Sequence, residues 1–197
     1  MVRSIGRRDF FFVTASSILG MVHSVTAQAP SSGSDPLRIL LLSSYMRGIF
    51  YFNLAGVYVE VGQAVQWVGL SRARSVTAFH PSIDNHELRI PENARPFDSR
   101  TMASGSPTFK WTFDVEGTYD YYCRPMENKG MVGRIVVGKP GGPGERPPGY
   151  GNREGRAVMY PDAARLLEYL KSDEIVRTKS IPCPLELLQR KFPGRWR

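Results

Sequence analysis

Between residues 36 and 138 apolar and polar positions alternate in short runs, each stopped by a turn signal. Val57-Tyr58-Val59-Glu60-Val61 stops at Gly62, and Ala64-Val65-Gln66-Trp67-Val68 stops at Gly69. Ser75-Val76-Thr77-Ala78-Phe79 ends at His80-Pro81, and Thr108-Phe109-Lys110-Trp111-Thr112-Phe113 alternates with aromatics. Thr118-Tyr119-Asp120-Tyr121-Tyr122-Cys123 follows Glu116-Gly117, and Gly133-Arg134-Ile135-Val136-Val137 closes the series. Period-two runs of this length, bounded by Gly and Pro, predict strands. Their spacing predicts an all-β, antiparallel sandwich with one face of each strand in the core. Residues 88–106 have no clear period and read as a long excursion between sheets.

The pattern changes on both sides of that region. Residues 138–151 hold ten Gly or Pro in fourteen, so 139–155 reads as a linker. Beyond it, Ala163, Leu166, Leu167 and Leu170 recur at helical spacing after Pro161, and a second short helix is expected from 185 to 192. Residues 156–197 are therefore a partly helical tail. At the other end, Arg7-Arg8 precedes an apolar run from Phe10 to Val22 and a small-residue exit near Ala27 or Ala29. Such a run is shorter than the ~20 residues of a membrane-spanning helix. Residues 1–29 read as a cleavable signal resembling the twin-arginine type, so the mature chain carries no transmembrane span and is exported, periplasmic or extracellular.

Charge refines this division. The chain has 26 Lys or Arg against 18 Asp or Glu, a net charge of +8. Residues 139–197 hold 12 basic against 7 acidic residues, while 36–138 hold 11 against 9. The excess belongs to the tail, where it reads as a solvated helix face or as a surface for an acidic protein partner or an anionic membrane. No nucleic-acid motif accompanies it. Two cysteines, Cys123 and Cys183, exclude a disulfide-dense scaffold and a four-cysteine zinc site. No Ser-His-Asp set, carboxylate dyad or phosphate loop marks an enzyme.

The candidate chemistry lies between the last two predicted strands. Cys123 leaves one strand, a tight turn follows, and Met131 enters the next, so the two sulfurs converge at one end of the sandwich. A thiolate with a thioether is the soft half of a blue-copper site, which two imidazoles complete.

These runs, with Tyr119-Asp120-Tyr121-Tyr122-Cys123 and Gly130-Met131-Val132-Gly133-Arg134-Ile135-Val136-Val137, resemble the cupredoxins of the plastocyanin, pseudoazurin and halocyanin group over residues 49–138. The resemblance implies a Greek-key sandwich, bound copper, single-electron transfer and a redox or copper-trafficking partner. It places the thiolate ligand on Cys123 and the axial ligand on Met131. It places the two imidazole ligands at positions 74 and 126, where this chain has Arg74 and Met126. Arg74 has no lone pair to give a metal. His80, six residues on, stands ~20 Å away along an extended strand; His86 lies beyond Pro81, where the chain could fold back. Both are substitute-ligand candidates.

Cys123, Met126 and Met131 together form a soft set that favours Cu(I). Three functions follow: an electron carrier with a degraded ligand set, a Cu(I) carrier or store, and a copper-free interaction module. Without metal, Cys123 is a buried thiol or bonded to Cys183, and Arg74 fills the copper position, pairing with Cys123 or Glu127.

Overall fold

The computed structural model describes residues 35–44, 48–69, 74–102, 107–152 and 155–189. The expected signal segment, with its paired arginines, and the last residues of the tail lie outside the described residues. One sheet contains β1 (Leu37–Ser44), β2 (Ile49–Asn53), β4 (Ala64–Gly69) and β6 (Thr108–Thr112), in the order β2-β1-β4-β6. The other contains β3 (Gly56–Val59), β5 (Thr77–Ala78), β7 (Gly117–Tyr122), β8 (Val132–Val137) and β9 (Ser180–Ile181), in the order β5-β7-β8-β3-β9. β1 runs parallel to β4 and β3 parallel to β8, while the remaining pairs are antiparallel.

Alternation does what period two requires: Val57, Val59, Val65, Trp67, Tyr119, Tyr121, Ile135 and Val137 meet between the sheets. Trp67 is their centre, with the rings of Phe97, Phe109 and Tyr121 at 5.8, 5.6 and 5.5 Å. β1 and β2 were not among the predicted runs. The Ile39-Leu40-Leu41-Leu42 stretch shows no alternation in sequence, yet Ile39 and Leu41 are fully buried while Leu40 and Leu42 are half-buried.

The second sheet departs from the expected one-faced pattern, since every residue of β7 and β8 is buried. Its outer face is covered by α1 (Pro161–Tyr169) and α2 (Ser172–Thr178), and β9 lengthens its edge beside β3. Met159, Leu166, Leu167, Leu170 and Ile175 pack with Tyr122, Val132 and Val136 in a second core. The helical tail is present, broken at Leu170-Lys171 and followed by the short α3 (Leu185–Gln189). It forms a third layer.

Residues 138–151, most of the stretch read as a linker, lie against the second sheet. They belong to the same compact unit as the sandwich, and Pro143 and Gly144 are buried. The physical reason is a set of buried charges on the sheet's outer face. Asp120 accepts from Arg89 Nε at 2.8 Å and from Arg134 Nε and Nη2 at 2.8 and 3.0 Å. Arg89 Nη1 also reaches Glu87 at 2.8 Å. The remaining guanidinium donors need acceptors, and the Gly/Pro segment supplies them as backbone carbonyls. Gly144 O accepts from both arginines, at 2.9 and 3.0 Å, and Arg146 O accepts from Arg89 at 2.9 Å. Arg134 Nη1 donates to Leu170 O at 2.7 Å, which ties in the tail as well. Gly144 is required for the approach, because a Cβ there would stand 2.6 Å from Thr118 O.

Burial lowers the Arg134 pKa, but the Asp120 charge and hydrogen bonds outweigh this and raise it. Removing the carboxylate would leave buried Arg134 without its ion-pair partner and Arg89 with Glu87 alone. Asp120→Ala is expected to cost about 3–5 kcal/mol, measured by urea unfolding against the wild-type chain, with Asp114→Ala on an exposed loop as the neutral control.

Candidate metal centre

β7 delivers Cys123 to the end of the sandwich, and β8 starts just after Met131. Between them lies a 3-10 helix, Arg124–Lys129, closed by Gly130 in the left-handed region at φ 77°. A Cβ at Gly130 would also press within 3.2 Å of Leu188 from the tail. Three backbone hydrogen bonds join the sulfur-bearing residues in a ring. Met126 N–H donates to Cys123 O at 2.9 Å, Met131 N–H to Met126 O at 3.1 Å, and Cys123 N–H to Met131 O at 3.0 Å. Cys123 and Met131 are fully buried in the inter-sheet core, and Met126 is half-buried against it.

Ser75, which sequence reasoning passed over, organises this end. Its N–H points to Cys123 Sγ at 3.4 Å, and its Oγ accepts from Arg124 N–H at 2.8 Å. Arg74 brings a charge: it is 2% exposed, with its guanidinium 5.1 Å from the centre of the Phe50 ring. Burial pushes the Cys123 thiol up, and the Ser75 N–H and the Arg74 charge only partly oppose this. Cys183 sits in the second core, where burial pushes its thiol up to about 12. Both cysteines are free, which corrects the disulfide alternative.

The histidines go elsewhere. Tyr121 and Cys123 face the inter-sheet core, so Tyr122 faces the other way, and His86 packs on Tyr122 at 4.7 Å and Phe79 at 5.1 Å. His86 does fold back to the loop, but on the face opposite Cys123, where its Nε2 meets Glu127 Oε2 at 3.3 Å. Glu127 therefore serves His86. His80 Nδ1 accepts from Ser82 N–H at 3.1 Å and lies 2.7 Å from Ser82 Oγ, so that lone pair is occupied within its own turn. Burial lowers its pKa.

Arg124, next to Cys123, clamps the loop from outside. It meets Asp84 at 2.6 Å and Asp98 through two bonds of 2.8 and 3.0 Å, while Tyr122 OH also donates to Asp84 at 2.6 Å. These contacts join residues 26 to 40 positions apart, and no local pattern announces them. Among the described residues, no group of three or more His, Cys, Asp or Glu could hold a metal ion. Any metal here would therefore rely on the thioethers.

A family profile for copper binding proteins of the plastocyanin/azurin family matches residues 41–138. The chain is 32% identical over 90 residues to a halocyanin of Natronomonas pharaonis, covering 45% of this chain and 48% of the halocyanin. It is 28% identical over 91 residues to a plastocyanin of Scenedesmus fuscus, covering 46% of this chain and 89% of that one. The matched stretch thus spans about half the length of the halocyanin. A crystal structure of pseudoazurin from Methylobacterium extorquens AM1 shares 24% identity at a TM-score of 0.43, covering 53% of this chain and 76% of that one.

Two measurements follow from the geometry. With both thiols buried and raised, a disulfide-exchange reagent at pH 8 should titrate neither in the native chain and two per chain after unfolding. Burial alone would raise Asp84 and Asp98, but hydrogen bonds from Tyr122 and Arg124 to Asp84, and from Arg124 and Arg100 N–H to Asp98, hold both below 3.8. Carboxyls lowered in the folded state contribute stability above their ordinary range and lose it as pH falls through the folded values. The thermal midpoint of Arg124→Gln should thus lie below wild type by a constant gap above pH ~5, and the gap should close below pH ~4.

Proposed function

Residues 41–138 belong to the cupredoxins, and on that premise we propose that this protein is an exported copper carrier that holds the metal as Cu(I) through Cys123, Met126 and Met131. The observation that carries this reading is the ring of backbone hydrogen bonds that fixes three sulfur-bearing residues at one buried end of the sandwich. One thiolate and two thioethers suit a soft monovalent ion, and neither described histidine side chain is directed to them. The Arg74 guanidinium adds a fixed positive charge that opposes a divalent ion more strongly than a monovalent one. The residues present therefore fit Cu(I) and do not fit a site that cycles readily to Cu(II), which separates this chain from the electron-transfer role of its family.

Copper bound there supplies a closed-shell soft cation in place of the thiol proton. The chain's own residues do the remaining work. Ser75 N–H stabilises charge on the sulfur, and burial of Cys123 and Met131 excludes water. The Arg124 clamp holds the loop that carries Met126. Residues 1–29, read as a twin-arginine-type signal, take the protein to a periplasmic or extracellular place. The partner there is a protein that delivers or accepts copper.

Anaerobic competition with a chromophoric Cu(I) chelator tests the reading. One equivalent should be withdrawn by the wild-type chain, and Cys123→Ser should weaken it beyond the ~10–100-fold that outer-shell changes cost. Added Cu(II) should give no intense thiolate-to-copper band. If no Cu(I) is withdrawn, the copper reading fails and a copper-free interaction module takes its place. An intense, reversible band with Cu(II) would restore the electron carrier.

A further inference from the structure

The segment of residues 138–151 also shapes the surface above the sheet. Arg146, Tyr150 and Gly151 join Pro81, Leu88 and Arg156 around a cleft of about 300 Å³. Its lining is apolar apart from two guanidinium groups and carries no carboxylate. Neither guanidinium takes part in an ion pair among the described residues. Both are nevertheless held in place. Arg146 lies 5.0 Å over the Tyr150 ring, whose hydroxyl donates to Leu88 O, and Arg156 Nη1 donates to His86 O at 3.3 Å. Each guanidinium has five donors, and these contacts, with the Arg146 hydrogen bond to Tyr150, engage only some of them.

Two larger neighbouring clefts, of about 550 and 520 Å³, also include Arg146 but are lined by Glu145, Glu168 and Asp173 in one case and Glu92 and Glu116 in the other. Mixed linings of that kind do not select a charge. The cationic cleft does, and its volume suits one acidic side chain with its apolar neighbours. A nucleic-acid backbone would need a row of cations rather than two. The position also matters: Leu88 lies two residues from His86, which pairs with Glu127 beside Met126.

We propose that the Arg146–Arg156 cleft is a docking pocket for an acidic, aliphatic segment of a protein partner, seating that partner on the excursion that buttresses the Cys123–Met131 loop. The pocket needs no copper, so it stands or falls separately from the metal reading.

Fluorescence anisotropy with a labelled Leu-Glu-Leu-Glu peptide and the full, copper-free chain tests it. The peptide should bind saturably, and more weakly as salt rises. Its Leu-Gln-Leu-Gln counterpart should bind at least about tenfold more weakly. The Arg146→Gln/Arg156→Gln double variant should lose a similar factor with an unchanged thermal midpoint. Arg156→Gln alone should lose part of it, and Arg165→Gln on α1 should lose none. Equal binding of the two peptides, or retained affinity in a folded double variant, would overturn the proposal. So would tighter binding of a single-stranded oligonucleotide.

Discussion

Asp120 sits on the outer face of the second sheet, fully buried, with a guanidinium on either side. A carboxylate and two arginines in that position can persist only if every remaining donor finds an acceptor. The acceptors are carbonyls of Gly144, Arg146 and Leu170, which belong to the Gly/Pro-rich segment and the tail. Satisfying the charges therefore determines where some fifty residues beyond the sandwich lie. An apolar patch would have accepted any greasy segment in any register. The charged network specifies one, and the second core of Val132, Val136, Leu166, Leu167 and Ile175 closes around it.

The same third layer reaches the sulfur-bearing end. Leu188 crowds Gly130, and the His86–Glu127 pair lies under Tyr122, on the face that the tail covers. The loop that in this family carries a ligand is thus held on two sides, by the Arg124 clamp and by the tail. Such restraint holds the loop in one geometry.

Much of this was legible in sequence where a residue's role is set by its neighbours along the chain. The alternation in β4, β6, β7 and β8 marked inward and outward positions, and the short Cys123–Met131 interval placed two sulfurs at one end. The helical spacing of Leu166, Leu167 and Leu170 marked the tail. β1 escaped because its run of leucines alternates only in burial. Ser75 and Arg124 escaped because their roles depend on partners tens of residues away, and a serine or an arginine by itself signals nothing.

The Gly/Pro segment shows the boundary most plainly. Composition established that it could not build a core of its own, and that holds. Composition could not say that its carbonyls would complete a core built by others, since that depends on Arg89 and Arg134 arriving buried from elsewhere. Sequence by itself thus determined the sandwich, the presence of Cys123 and Met131 around its last tight turn, and the absence of imidazole at 74 and 126. Tertiary structure alone decided that His86 returns on the wrong face, that Arg74 lends its charge to the thiol, and that the tail is a layer. The reason is common to all three: they rest on which face of a sheet a distant residue meets, and local periodicity carries no information about that.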